Sequence, residues 1–167
     1  MMTFKSRVGG SPAAAVLATV LIYTLQAHAQ APVAKTDAKN SVALGRHVIQ
    51  IAGCNDCHSP GYAQSGGKTP EATWLTGDGV GWRGPWGTTY SANLRLFFSG
   101  LSEQQWLEYA RKTEARPPMP WFNLRAMSDQ ELSAIYQYIK AAGPAGAPAP
   151  TSLPPGQTAG TPVVQFP

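Results

Sequence analysis

The feature that most constrains how this chain can fold is a five-residue motif, Cys54-Asn55-Asp56-Cys57-His58. Its C-x-x-C-H pattern is typical of a covalent attachment site for c-type haem. Two thiols three positions apart lie on one side of a helical turn, where both can bond to the vinyl groups of one porphyrin. The histidine that follows can bind the iron. The rest of the chain would then have to fold around a large, flat, apolar group.

Two other chemistries use closely spaced cysteines, and the sequence supports them less well. A redox dithiol of the thioredoxin type is expected beside a βαβ pattern, which this sequence does not show. A structural zinc site needs four Cys or His ligands. Once the export signal described next is removed, the candidates are Cys54, Cys57, His47 and His58, in no familiar finger spacing. Haem attachment is therefore the favoured interpretation.

Residues 1–29 have the pattern of a secretory signal peptide. Lys5 and Arg7 give a positive start, residues 12–25 are apolar, and Ala27-His28-Ala29 is a typical cleavage signal. The apolar run is shorter than the roughly 20 residues that a membrane span needs. We expect cleavage after Ala29 and export to the periplasm, where bacteria attach c-type haem.

Signal removal also changes the size and charge of the chain. Taking 29 residues from 167 leaves 138, and the formal charge falls from +4 to +2 because Lys5 and Arg7 are lost with no acidic residue. This length suits one small domain. We expect no nucleic-acid binding, because that function needs a clustered basic patch. We expect no disulfide, because both cysteines are assigned to haem.

Three helices are predicted, at residues 40–54, 101–112 and 129–142, from apolar residues at helical spacing. Their candidate N-caps are Asn40 or Ser41, Ser102, and Ser128. The second and third helices begin with a capping-box pattern completed by Gln105 and Glu131. Gly143 should end the third helix. The first helix should run directly into the C-x-x-C-H motif.

The long segment between the first two helices, residues 58–100, is rich in glycine and shows no clear periodicity. Such a long loop is unusual in a compact domain unless it has something to pack on. We expect its aromatic side chains to pack against haem: Trp74, Trp82, Trp86 and Tyr90. A sugar-binding loop is the alternative. The predicted fold class is all-α, with about three main helices and this loop wrapped around one covalent haem.

A second axial ligand can be sought among the few remaining candidates, because c-type haem iron is often held by His and Met together. His47 lies on the helix leading into the motif, on the proximal side. Met127 has a structural explanation as a staple residue before the third helix. Met119 lies in a loop with three prolines, far enough along the chain to cross the ring. We predict His58 and Met119 on iron, with Met127, His47 or an open site as alternatives.

The two ends of the mature chain differ from its centre in composition. Residues 30–39 read as a flexible leader, and residues 144–167 as an extended proline-rich tail without charged residues. The tail carries three apolar side chains near its end: Val163, Val164 and Phe166. We therefore expect residues 153–167 to lie extended across the globular body or a partner subunit. A disordered tail is the alternative.

A helix entering C-x-x-C-H, a glycine-rich loop, a proline-flanked methionine and a closing amphipathic helix together resemble class I c-type cytochromes. The likeness is closest in residues 85–94 (PWGTTYSANL), 118–121 (PMPW) and 127–132 (MSDQEL), with Tyr138-Ile139 beyond. These segments are similar to one haem domain of the cytochrome subunits that accept electrons from membrane-bound alcohol and aldehyde dehydrogenases. The resemblance covers residues 40–143, which we take as a monohaem domain.

The resemblance implies roles for individual residues. Cys54 and Cys57 would bond to the vinyl groups, and His58 and Met119 to iron. The carbonyl of Pro60 would orient the His58 ring. Three further residues would contact the haem: Trp86, Tyr90 and Asn93. The chain departs from that family in having one haem motif rather than several, and in carrying Arg95-Leu96-Phe97-Phe98 where an acidic stretch is usual.

The predicted function is that of a periplasmic one-electron carrier, not an enzyme. It would pass electrons from a dehydrogenase or similar donor to an oxidase or another cytochrome of the respiratory chain, alone or as a small haem subunit of a dehydrogenase complex. A haem enzyme or gas sensor with a displaceable sixth ligand is one alternative, and a non-redox sugar-binding module is another. No Ser/His/Asp set and no spare cysteine nucleophile is present.

Overall fold

A computed structural model describes residues 38–167, so the predicted signal peptide and most of the predicted leader lie outside the described residues. This part of the chain contains six α-helices: α1 (Ala38–Ile51), α2 (Cys54–His58), α3 (Leu94–Phe97), α4 (Glu103–Lys112), α5 (Trp121–Ala126) and α6 (Asp129–Ala142). Three short strands accompany them: β1 (Gly81–Gly84), β2 (Gly87–Tyr90) and β3 (Val163–Gln165). No helix in this range is both long and apolar enough to cross a membrane.

Helices α4 and α6 begin where their capping residues predict. The Ser102 hydroxyl accepts from the Gln105 backbone N–H at 3.2 Å, and the Gln105 side chain accepts from the Ser102 N–H at 2.8 Å. Ser128 and Glu131 repeat this arrangement at 3.2 and 2.7 Å. Each box satisfies two backbone donors that a helix start would otherwise leave unpaired. Both predicted N-caps are confirmed, and Gly143 (φ 69°) ends α6 as expected.

The prediction for the first helix was wrong at both ends. Helix α1 already includes Ala38 and Lys39, so neither Asn40 nor Ser41 is its N-cap. The helix stops at Ile51, and Gly53 has a left-handed backbone (φ 70°) that separates α1 from α2. Because left-handed backbone cannot continue a right-handed helix and is easiest for glycine, the chain turns before the cysteine motif.

The core lies where α1 crosses α6 at very close range. A Cβ atom built on Gly45 would overlap the Ala134 carbonyl oxygen and lie 2.8 Å from the Tyr138 Cβ. The absence of a side chain at Gly45 therefore lets the two helices approach. The buried cluster is formed by Val48, Ile49, Trp74, Leu75, Phe98, Trp106, Ala110, Leu124, Leu132, Ile135, Tyr138 and Ile139. It anchors α1 and so positions α2 behind it.

The all-α prediction was wrong for the glycine-rich segment, which contains an antiparallel hairpin. Strand β1 pairs with β2 in a register that runs from Gly81 opposite Tyr90 to Gly84 opposite Gly87. The sequence of β1, Gly-Trp-Arg-Gly, has no alternation of apolar and polar residues and therefore no strand signal of its own. Backbone pairing with β2 and β3, rather than local propensity, makes it a strand.

The proline-rich tail docks on this hairpin, which confirms the expectation that it lies across the globular body. Strand β3 pairs in parallel with β1, placing Val164 opposite Trp82. Further back, Leu153 bridges β2: its N–H donates to the Thr88 carbonyl at 2.8 Å, and the Thr88 N–H donates back at 3.0 Å. The sheet order is therefore β2-β1-β3, with the tail in contact with both hairpin strands.

Candidate haem-binding site

A cavity of about 330 Å³ lies between the helices and the hairpin. Cofactor pockets are typically concave, mostly apolar and of roughly 300–1,000 Å³. Five of the predicted site residues line this cavity: Cys54, Cys57, His58, Tyr90 and Met119. The fold thus brings the C-x-x-C-H motif and the proline-flanked methionine, more than 60 positions apart in sequence, to the wall of one apolar space.

The two cysteines are free thiols on α2 at the cavity wall. Burial raises the pKa of the Cys54 thiol to about 11 and also raises the pKa of Cys57. Burial thus favours the neutral thiol at both positions. No group of three or more His, Cys, Asp or Glu side chains among residues 38–167 could hold a metal ion. The zinc alternative thus has no support in the described part of the chain.

The imidazole of His58 is held by a single backbone contact. Its Nδ1 lies 2.8 Å from the carbonyl oxygen of Ala92, just beyond β2. A donated Nδ1 proton leaves Nε2 free as a ligand, and such an outer hydrogen bond fixes ring orientation and raises ligand basicity. Burial lowers the pKa of His58, against an opposing effect of the Ala92 hydrogen bond, and so favours the neutral ring. The expectation that Pro60 supplies this carbonyl was wrong.

Both methionines of the predicted mature chain line the cavity. Met119 lies in the loop between α4 and α5, where its carbonyl accepts from the Trp121 N–H at 2.9 Å. Met127 caps the end of α5, and its carbonyl accepts from the Arg111 guanidinium at 2.8 Å. Met127, predicted as a staple residue and as an alternative iron ligand, thus lines the same cavity as Met119. His47, by contrast, is exposed on α1 and is not part of the wall.

Comparison with protein families agrees with this geometry. The family model for cytochrome c matches residues 42–143, more than half of the chain. The chain belongs to the cytochrome c family. Membership of this family implies covalently attached haem c and electron transfer by that haem. The helix-rich fold is that of a small class I cytochrome c. No curated protein and no solved structure matched the chain.

The polar atoms of the cytochrome c cavity also suit haem, which has a large apolar ring and two carboxylates. Among the cavity-lining residues in the described range, Arg116 alone carries a permanent charge. The Thr89 hydroxyl is buried without a hydrogen-bond partner although Thr89 lines the cavity. A buried hydroxyl without a partner is costly. An apolar wall with two thiols, one oriented imidazole, a thioether and one cation therefore fits the group that the family implies.

The remaining predicted contact residues of this cytochrome c lie outside the cavity wall. Pro60 is exposed beyond α2. Trp86 packs on the tail residue Phe166, with ring centroids 5.5 Å apart. Asn93 caps α3 by accepting from the Leu96 N–H at 3.0 Å, and its amide donates to tail carbonyls. Trp74 also packs away from the cavity, in the core. Of the loop aromatics, Trp82 and Tyr90 reach the cavity wall.

Sequence analysis missed Arg95, which is 7 % exposed. Its guanidinium donates to the carbonyls of Ala142 and Gly143 at the end of α6. A cation at a helix C-terminus satisfies orphan carbonyls and complements the helix dipole. In the sequence, Arg95 is visible as a basic residue where the similar family usually has an acidic stretch. Its role depends on a partner 47 positions away, which no local signal reveals.

Proposed function

We propose that this cytochrome c is a one-electron carrier with a single haem c, bonded through Cys54 and Cys57 and ligated by His58 and Met119. The observation that carries the proposal is the convergence of these four side chains on one apolar cavity. When bound, haem supplies an iron centre that changes its oxidation state by one electron. Two protein ligands would leave no open position for a substrate, which suits transfer rather than catalysis.

The chain's own residues would set the properties of that centre. The Ala92 carbonyl holds the His58 ring in one tautomer and orientation. The soft Met119 thioether would favour ferrous iron and raise the reduction potential. Arg116, at the exposed edge of the cavity, and the unpartnered Thr89 hydroxyl are the groups suited to the haem carboxylates.

The proposed location and partners rest on two features of the sequence. Residues 1–29 favour export to the periplasm. The likeness of residues 85–94 to the haem domains of dehydrogenase cytochrome subunits favours a periplasmic or membrane-bound dehydrogenase as donor, with an oxidase or another cytochrome as acceptor. The carrier would act alone or as a small haem subunit of such a dehydrogenase. With a mature formal charge of only +2, docking would gain little from long-range electrostatic steering.

The test is expression of the full chain in a host with working haem-attachment machinery. We expect the intact mass of the exported protein to show loss of residues 1–29 and gain of one haem, and a redox titration to show a single one-electron wave. The double variant Cys54→Ala, Cys57→Ala should gain no covalent haem. Wild-type protein without haem would refute the proposal. Rapid carbon monoxide binding by the ferrous protein would favour a gas sensor or haem enzyme instead.

A further inference from the structure

The tail segment (residues 144–167) packs on the outer side of the β1–β2 hairpin, and the same hairpin forms part of the cavity wall. Trp82 and Tyr90 connect the tail segment to the cavity, because each lines the cavity and each contacts the tail segment. The carbonyl that holds His58 belongs to Ala92, two positions after Tyr90. The tail segment is therefore separated from the oriented imidazole by a short, continuous piece of chain.

Side-chain contacts connect the tail segment to these bridging residues. The Tyr90 hydroxyl, on a side chain that is 8 % exposed, lies 2.9 Å from the Thr161 hydroxyl and shares a hydrogen bond with it. The Tyr90 N–H donates to the Ser152 hydroxyl at 3.3 Å. The Phe166 ring packs against the Trp82 ring, with centroids 6.1 Å apart. Burial of an aromatic ring and paired hydroxyls both favour one arrangement of the hairpin.

The start of the tail segment is anchored as firmly as its end. The Asn93 amide donates to the carbonyls of Ala145 at 2.8 Å and Ala147 at 3.0 Å. Arg95 holds the last carbonyls before the segment, those of Ala142 and Gly143. These contacts fix the direction in which the chain leaves α6. The donors, Asn93 and Arg95, stand one and three positions after Ala92, and neither of them lines the cavity.

The hairpin is shaped to receive the tail segment. A Cβ atom on Gly87 would lie 2.7 Å from the Pro154 carbonyl carbon, and a Cβ atom on Gly81 would lie 3.1 Å from a methyl of Val163. Both distances are too short for ordinary packing between carbon atoms, which takes roughly 3.5–4.0 Å. Glycine at these two places lets the tail backbone approach the strands closely. The shape of the hairpin at these two glycines thus matches the path of the tail segment.

We infer that the tail segment is a positioning element for the axial histidine, acting through the hairpin. Thr161 and Phe166 hold Tyr90 and Trp82, and the hairpin so held keeps the Ala92 carbonyl on His58 Nδ1. A firm hydrogen bond at Nδ1 makes the imidazole a stronger donor to iron, which favours the ferric state. Loosening the tail segment should therefore raise the reduction potential. The inference rests on the proposed function, because it requires His58 to ligate haem iron.

A pair of matched substitutions tests this in the full haem-bearing protein. Thr161→Val removes the hydroxyl that meets Tyr90 while keeping the shape of the side chain. Thr158→Val makes the same change at an exposed position of the same segment. Thr161→Ser restores the hydroxyl. The two measurements are hydrogen–deuterium exchange of the amides at 87–92 and the midpoint reduction potential of each variant.

We expect Thr161→Val to speed exchange of the hairpin amides by about fivefold, the effect of losing one hydrogen bond, and to raise the potential. Thr158→Val and Thr161→Ser should stay near the wild type. An unchanged potential in Thr161→Val would overturn the inference, as would an equal shift in Thr158→Val. A changed potential without faster exchange would overturn it as well. Intact mass separates these results from failure of the proposed function, which would appear as wild-type protein without haem.

Discussion

The close approach of α1 and α6 at Gly45 predicts the effect of a small substitution, Gly45→Ala. A Cβ atom at this position would overlap the Ala134 carbonyl oxygen, and would lie 2.6 Å from the Ala134 carbonyl carbon and 2.8 Å from the Tyr138 Cβ. Ordinary contacts between carbon atoms are about 3.5–4.0 Å. To restore ordinary contact distances, helix α1 would have to move away from α6 by about 1 Å. Two of the three neighbours are backbone atoms, so no side-chain rotation can relieve the overlap.

The magnitude follows from two opposing effects. Alanine is a better helix former than glycine, which by itself would stabilise α1 by about 1 kcal/mol. Overpacking costs typically 1–3 kcal/mol, and backbone overlap places this site at about 3 kcal/mol, because the shift also weakens the contacts of Val48 and Ile49 with α6. We expect a net loss of about 2 kcal/mol in the free energy of unfolding. For a domain of this size that lowers the melting temperature by about 8 °C.

The assay is thermal unfolding of the haem-bearing protein, followed by circular dichroism. The matched control is Gly100→Ala, where an added Cβ would meet nothing within 4 Å. That change should alter the free energy of unfolding by less than about 1 kcal/mol. If Gly45→Ala melted at or above the wild-type temperature, the close helix crossing would be wrong and propensity alone would govern the site.

Two further predictions concern the iron ligand and the response to acid. Met119→Ala should abolish the ferric sulfur-to-iron absorption band and lower the reduction potential. Met127→Ala should keep the band and lower the free energy of unfolding by about 1 kcal/mol. The reverse pattern would make Met127 the ligand. Although burial opposes the shift, hydrogen bonds from Arg46 and Tyr138, both at 2.9 Å, hold the pKa of Glu71 below its ordinary value of 4.5. A depressed carboxyl pKa stabilises the fold above the unfolded value, and this stability is lost as pH falls through the folded value. Glu71→Gln should therefore lower the free energy of unfolding by less than about 1 kcal/mol at pH 7, because the Arg46–Glu71 pair is half exposed. Below about pH 4.5, the stability of this variant in urea should vary less with pH than that of the wild type. An unchanged acid response would contradict this.

Features governed by neighbours along the chain were predictable from the sequence. The capping boxes at Ser102 and Ser128 close hydrogen bonds between residues three positions apart, so four consecutive residues contain the whole interaction. The same holds for the C-x-x-C-H motif, whose reactive groups lie on one turn of α2. The docking of the tail was expected from its apolar side chains, but Val163 and Val164 stay exposed, and backbone pairing with β1 holds the tail instead.

Features governed by distant neighbours were decided by the tertiary structure. The carbonyl on His58 belongs to Ala92, 34 positions away, whereas the family resemblance implied Pro60, two positions away. Strand β1 carries no strand pattern and exists because β2 and β3 supply its hydrogen bonds. Arg95 and Gly45 acquire their roles only where another helix meets them. Backbone carbonyls are identical at every position, so composition cannot tell which of them a folded chain will present to a given side chain.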